Sequence, residues 1–105
     1  MTEAQIQKAV FQHLRERAHP DAVFWHVPNG PESRRKAGYL EGCHDVHIWH
    51  RGNFFTLELK TEGGRPTEAQ LKFRDRINGT GGYSMVIGGL DRAIGCLEEW
   101  GILKA

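Results

Sequence analysis

A β-hairpin is predicted by residues 45–60, which read DVHIWHRGNFFTLELK. Apolar and polar side chains alternate with period two over Asp45–Trp49 and again over Phe54–Lys60, as they do in strands that bury one face. Arg51-Gly52 lies between the two runs, and a two-residue loop is the most common connection between antiparallel strands. Facing residues then have numbers that sum to 103, because 51 and 52 occupy the turn.

This register places two carboxylates directly across from each other. Asp45 faces Glu58, and Lys60 points to the same side of the sheet. The opposite face is apolar and holds Val46, Ile48, Phe55 and Leu57. Facing carboxylates have Cβ atoms roughly 4.5–5.5 Å apart and repel each other, so a sequence that serves only stability avoids them.

A divalent cation removes this repulsion, because carboxylates at that separation can share one Mg²⁺ or Mn²⁺. Such an ion lowers the pKa of a bound water and neutralises phosphate charge. Lys60 can orient the attacking water or stabilise the transition state. The hairpin therefore predicts a phosphodiester-hydrolysing site with Asp45, Glu58 and Lys60 as its catalytic residues.

The rest of the chain predicts an α/β fold. A capping box at Thr2–Gln5 begins a helix over residues 3–17, and a second box at Thr67–Gln70 begins a helix that runs to about Ile77. The other predicted elements are strands over Val23–Val27 and Tyr83–Ile87, a short helix or loop over 32–41 and a last helix from Leu90 to about Trp100. A length of 105 residues allows one domain, residues 1–105, in which helices flank a mixed sheet.

Composition narrows the class of protein. No apolar run approaches the ~20 residues that cross a bilayer, and the polar N-terminus does not resemble a signal peptide, so we expect no membrane partner. Cys43 and Cys96 show no disulfide framework, which favours a cytoplasmic location. A net charge of +1 does not by itself indicate a nucleic-acid binder, although an enzyme needs only a local basic surface.

The motifs resemble those of the PD-(D/E)xK nuclease superfamily and, within it, the VRR-NUC family. Asp45, followed after twelve residues by Glu58-Leu59-Lys60, is similar to the superfamily motif. Further segments match the VRR-NUC family in order, over about residues 3 to 90: Glu3 in the first helix, His26–Gly30, Gly42–Asp45 and Arg65–Gln70. His44 departs from the family, which usually has Pro before this Asp, and it places a titratable group beside the predicted metal site.

The resemblance implies a restriction-endonuclease-like αβββαβ core and a Mg²⁺- or Mn²⁺-dependent endodeoxyribonuclease with no small-molecule cofactor. It implies that Glu3 and Gln70 complete the catalytic site and that Glu3 joins Asp45 and Glu58 as a metal ligand. It also implies DNA contacts, for which the candidates are Arg34, Arg35, Lys36, Asn29 and Arg65. Short family members occur in phages and prophages, so a mobile-element origin is expected. The family's resemblance to junction-resolving nucleases makes branched or junction DNA one candidate substrate, while the sequence itself does not distinguish duplex, flap, nick and four-way junction.

A homodimer is also expected. One small domain with a net charge of +1 has a weak hold on DNA, whereas two copies would supply two basic segments and two active sites. Apolar residues near the C-terminus either form the interface or close the monomer core: Leu97, Trp100, Ile102 and Leu103.

Plainer explanations stand beside these predictions. An acidic residue in the first turn of a helix and a Gln in a capping box are both locally favourable, which accounts for Glu3 and Gln70 without a site. The basic segment and the polar hairpin face can be solvated surface. Two other functions remain open: a non-catalytic nucleic-acid-binding module on a nuclease fold, and a small zinc-binding domain. Strand alternation argues against zinc, since it predicts His44 and His50 on one face and His47 on the other.

Overall fold

The computed structural model describes residues 1–28 and 30–105, and within them a mixed four-stranded sheet carries helices on both faces. The elements in chain order are α1 (Glu3–Arg17), β1 (Ala22–His26), a 3₁₀ turn (Ser33–Arg35), β2 (Val46–His50), β3 (Asn53–Lys60), α2 (Glu68–Gly79), β4 (Tyr83–Gly88) and α3 (Leu90–Glu99). The sheet order is β1-β2-β3-β4, antiparallel except for the parallel pair β3–β4. The predicted αβββαβ order and mixed sheet are confirmed.

The hairpin forms in the predicted register. Val46 pairs with Leu57 and Ile48 pairs with Phe55. Arg51 and Gly52 have φ angles of 52° and 78°, so both turn residues are left-handed. Turns of this kind match the twist of the flanking strands, and glycine adopts the conformation without steric cost. The register fixes which side chains of the hairpin share a face.

The hydrophobic core lies between one face of the sheet and the helices α1 and α3. Its fully buried members include Val10 and Leu14 from α1, Leu57 from β3 and Leu97 from α3. Leu97, Ile102 and Leu103 are 0 to 3% exposed and Trp100 packs on the same core, so this C-terminal group closes the monomer and does not offer an interface. Of the two roles considered for these residues, the structure supports the core.

Helix α2 covers part of the opposite face of the sheet. Its Phe73 packs against the rings of His44 and His47, with centroids 4.6 and 5.9 Å away. The prediction that His44 and His47 lie on different faces is therefore wrong. The chain bends at Asp45 before β2 begins, so the strand's alternation does not extend back to residue 44. His50 instead packs beside His19 and Asp21.

Of the short helix or loop expected over residues 32–41, the structure has the loop. Only the single 3₁₀ turn Ser33–Arg35 forms, and none of its residues is buried. Most helical stability in proteins comes from packing an apolar face, and this segment has none to pack. None of the helices in residues 1–28 and 30–105 is long and apolar enough to cross a membrane.

Candidate active site at the end of the hairpin

Asp45 is held at the end of the hairpin by backbone contacts on both sides. Its carbonyl oxygen accepts a hydrogen bond from the Val27 N–H at 2.9 Å and lies 3.1 Å from His26 Nδ1. Its carboxylate oxygen Oδ2 accepts from the Leu59 N–H at 3.2 Å. The Val27 bond extends the β1–β2 pairing by one residue, and the Leu59 bond holds the carboxylate against β3, next to Glu58.

Glu58 lies almost entirely inside the protein, with 1% of its surface exposed. Its Oε2 atom accepts from Gln70 Nε2 at 3.1 Å and lies 3.6 Å from Lys60 Nζ. In the described part of the chain, Glu58 Oε1 is the one buried side-chain oxygen or nitrogen that lacks a hydrogen-bond partner. Burial and the neighbouring Asp45 raise the pKa of Glu58 to about 8, although Lys60 opposes the shift. The Glu58 carboxylate thus favours a bound proton or cation.

Lys60 connects the carboxylate pair to the first helix. It is 9% exposed, and its ammonium lies between Glu58 and Glu3, 4.0 Å from Glu3 Oε1. Glu3 is about half exposed at the start of α1. The structure therefore brings Glu3 to the site through its contact with Lys60.

Gln70 performs the two roles that the sequence presented as alternatives. Its Oε1 accepts from the Thr67 N–H at 2.9 Å and its N–H donates to Thr67 Oγ1 at 3.1 Å, which completes the capping box. Since the amide oxygen is used by the cap, the amide nitrogen is left to donate to Glu58. The helix cap therefore fixes the orientation of a side chain in the site.

The two buried carboxylates suit a Mg²⁺ or Mn²⁺ ion. Asp45 and Glu58 lie together, and the partnerless Oε1 of Glu58 is an available oxygen ligand. Across residues 1–28 and 30–105 no group of three or more His, Cys, Asp or Glu could hold a metal ion. Glu3 contacts the site through Lys60, and its role as a third metal ligand stays a prediction. Mg²⁺ is commonly bound by one or two carboxylates while water and substrate phosphates fill its other positions.

His44 has a role that the sequence did not reveal. Its side chain is fully buried, and Nε2 donates to the Gln70 carbonyl at 2.9 Å. Nδ1 is therefore an acceptor, and it lies 3.1 Å from the Thr56 hydroxyl and 3.2 Å from the Ser84 hydroxyl. Because these two hydroxyls also bond to each other, one of them donates to Nδ1 and the other donates to its neighbour. Burial lowers the pKa of His44 to about 4, so the ring is neutral. His44 is therefore not a titratable group open to the site. It connects the residue before Asp45 to the first turn of α2.

Four of the five predicted DNA-contact residues lie on the surface in the described part of the chain. Arg34, Arg35 and Lys36 are exposed on the 3₁₀ turn and just after it, and Arg65 is exposed in the loop before α2. Arg34 lines a cleft that also contains Gln70. Asn29 lies outside the residues that the structure describes.

Comparison with known proteins identifies the fold. No family model matches the sequence, and no curated protein matches it either. A solved structure named "VRR_NUC domain protein" has a TM-score of 0.80 at 20% identity and covers 95% of this chain and 88% of its own. Another, named "VRR_NUC domain", has a TM-score of 0.69 at 18% identity and covers 93% of this chain and 96% of its own. The chain therefore has the α/β fold of the VRR_NUC domain proteins, as its motifs predicted.

Proposed function

We propose that this chain is a divalent-metal-dependent deoxyribonuclease that hydrolyses phosphodiester bonds at the end of the β2–β3 hairpin. The observation that carries the proposal is the buried pair Asp45 and Glu58, in which Glu58 Oε1 has no partner among the described residues. Two adjacent buried carboxylates destabilise a fold unless a cation or a proton compensates them. The fold shared with proteins named VRR_NUC supports a nuclease.

Each residue of the site has a distinct task. Asp45 and Glu58 hold the ion, which when bound polarises a phosphate and lowers the pKa of a water. Lys60 donates a hydrogen bond to the attacking water or to a phosphate oxygen on which negative charge develops. Glu3 orients the Lys60 ammonium, and Gln70 holds the Glu58 carboxylate in one rotamer.

A metal screen tests the proposal. The purified protein is incubated in EDTA, Mg²⁺ or Mn²⁺ with linear duplex, flap, nicked and four-way-junction DNAs of common sequence. We expect no cleavage in EDTA and restored cleavage with either ion, because hard oxygen ligands prefer these ions to Zn²⁺. Cleavage that survives EDTA would contradict the mechanism. DNA binding without cleavage under any metal would instead favour a non-catalytic nucleic-acid-binding module.

We further propose that the enzyme acts as a homodimer on branched DNA. On the sheet face beside α2, three apolar side chains of β1 and β2 are 40 to 57% exposed: Val23, Trp25 and Trp49. Val23 and Trp49 are paired neighbours, so the side chains form one patch. A patch of this kind can meet its own copy across a two-fold axis.

Light scattering tests the dimer. The chain has a mass of 11.9 kDa, so we expect twice that value at micromolar concentration. Trp49→Glu should return the mass to that of the monomer, whereas Met85→Glu, at a similarly exposed position on β4, should not. A wild-type mass near that of one chain, unchanged by DNA, would exclude the dimer.

A further inference from the structure

A cleft of about 620 Å³ lies between the segment 34–43 and helix α2. Gln70, which bonds Glu58, is part of its lining, so the cleft adjoins the catalytic site. The segment is held tightly against the helix at Gly42, where an added Cβ would come within 2.3 Å of the Ala69 backbone. The φ of Gly42, 81°, also excludes other residues without strain. This wall of the cleft is therefore preformed.

The lining of the cleft combines cations with an aromatic and an aliphatic side chain. Arg34 lies on one wall, and Lys72 and Arg76 lie on the other, one helical turn apart on the same face of α2. Tyr39 is half-buried and Leu40 is 47% exposed, and both line the same space. Glu41 and Glu68 also line the cleft, so its net charge is small and phosphate binding would depend on the three individual cations.

We infer that this cleft binds single-stranded nucleic acid, with one or two nucleotides inside it and their phosphates on Arg34, Lys72 and Arg76. Sites for single strands combine a basic groove with side chains on which bases stack. A duplex is instead read by elements that protrude into its grooves. The volume falls in the ~300–1,000 Å³ range of pockets that enclose a small ligand, which fits a nucleotide and excludes a duplex.

The inference rests on the proposed function and defines its substrate. A strand that occupies the cleft passes Gln70 before it reaches Asp45 and Glu58. The enzyme would therefore cut near a junction between duplex and single strand, and a continuous duplex would be a poor substrate.

Two free cysteines provide a test that needs no cleavage. Cys43 lines the cleft, whereas Cys96 lies on α3 against the core, and both thiols are half-buried. Alkylation of each thiol is followed by mass spectrometry in EDTA, with a ten-residue thymidine oligonucleotide or with a ten-base-pair duplex. We expect the oligonucleotide to slow alkylation of Cys43 at least fivefold, with no change at Cys96 and little protection by the duplex. Equal protection of the two cysteines, equal protection by the duplex or no protection of Cys43 would overturn the inference.

Charge variants give a second readout. Lys72→Gln and Arg76→Gln should each weaken oligonucleotide binding several-fold and reduce the slope of log affinity against log salt by about 0.7, the value for one single-strand phosphate contact. Arg15→Gln, on the exposed side of α1, should change neither quantity. Unchanged slopes in the two cleft variants would overturn the inference.

The outcomes separate this inference from the proposed nuclease. Protection of Cys43 without Mg²⁺-dependent cleavage would contradict the proposed nuclease activity and support single-strand binding in the cleft. Cleavage without protection of Cys43 would contradict single-strand binding in the cleft and support the proposed nuclease activity.

Discussion

Two helices of this protein begin with the same local motif and differ in what that motif does. α1 begins with Thr2 and Gln5, and α2 begins with Thr67 and Gln70, and both capping boxes are complete. The amide oxygen of each glutamine accepts from the N–H of its own threonine, at 2.8 and 2.9 Å. Gln5 is exposed, whereas Gln70 is half-buried and its amide nitrogen donates to Glu58.

The comparison separates local energetics from function. Each box satisfies free backbone donors at a helix start and contributes similarly to stability. Only the second box lies against a buried carboxylate, and there the cap also sets the direction of a hydrogen-bond donor. A capping residue becomes part of the candidate site because of where its helix begins, and no local property of the four residues distinguishes the two cases.

Substitution of Glu58, the carboxylate that Gln70 contacts, or of its neighbours Asp45 and Lys60 should cause the largest loss of cleavage. We expect Glu58→Gln, Asp45→Asn and Lys60→Ala each to reduce cleavage at least about 10³-fold, since each removes a metal ligand or a transition-state contact. In the Glu58→Gln background, Gln70→Ala should cause no further loss, because residues that act as a unit are not additive. Single-turnover cleavage with Mg²⁺ measures both effects. A variant that melts well below the wild type would indicate a structural role instead.

Substitution of the two capping glutamines, Gln70 and Gln5, should change the cleavage rate by different amounts, and the larger of these changes should be smaller than the loss caused by Glu58→Gln. Gln70→Ala removes a hydrogen bond to a buried carboxylate, a loss of about 1–3 kcal/mol, and should slow cleavage about 10- to 100-fold. Gln5→Ala should leave the cleavage rate unchanged. Each variant should lose the contribution of the cap to stability, about 0.5–1 kcal/mol, and Gln70→Ala should lose more because it also removes the hydrogen bond to the buried carboxylate. Thermal unfolding in EDTA measures both losses. Equal rates for the two variants would show that Gln70 serves only as a cap.

The features predicted well from the sequence are those with a local physical cause. Period-two alternation and a left-handed two-residue turn fix the register of the hairpin, and so place Asp45 beside Glu58. Each capping box marks the start of its helix because its hydrogen bonds lie within four residues. The fold follows from these elements and from the resemblance that they support.

The features that were missed depend on tertiary contacts. His44 bonds to Gln70, Thr56 and Ser84, which are separated from it by up to forty residues, and nothing local marks it as a tether. Segment 32–41 carries helix-forming residues, but none of them is fully buried in the fold, so no packed face stabilises a helix there. Lys72 is a candidate phosphate contact only because the fold places it in a cleft beside Gln70.

The smallest predicted effect is on the free energy of unfolding, which the buried carboxylate of Glu58 lowers when it is ionised. Glu58 has an ordinary pKa of 4.5 and a pKa raised to about 8 in the folded protein, first because of burial and then because of Asp45. The folded state therefore holds a proton that the unfolded state has released at intermediate pH. The contribution of Glu58 to stability is therefore fully present below pH 4.5 and is lost as the pH rises through about 8.

Glu58→Gln removes this ionisation while it keeps a group of similar shape against Gln70. We expect the variant to unfold a few degrees above the wild type at pH 9 in EDTA, since about 1 kcal/mol shifts the Tm of a domain near 100 residues by ~4 °C or more. The gain should disappear at pH 4, where Glu58 is protonated in both states. Glu68→Gln, at an exposed position in the first turn of α2, should show no such gain. A Glu58→Gln variant less stable than the wild type at pH 9 would mean that the carboxylate supports the fold, and Gln70 would then be a cap whose second bond is structural.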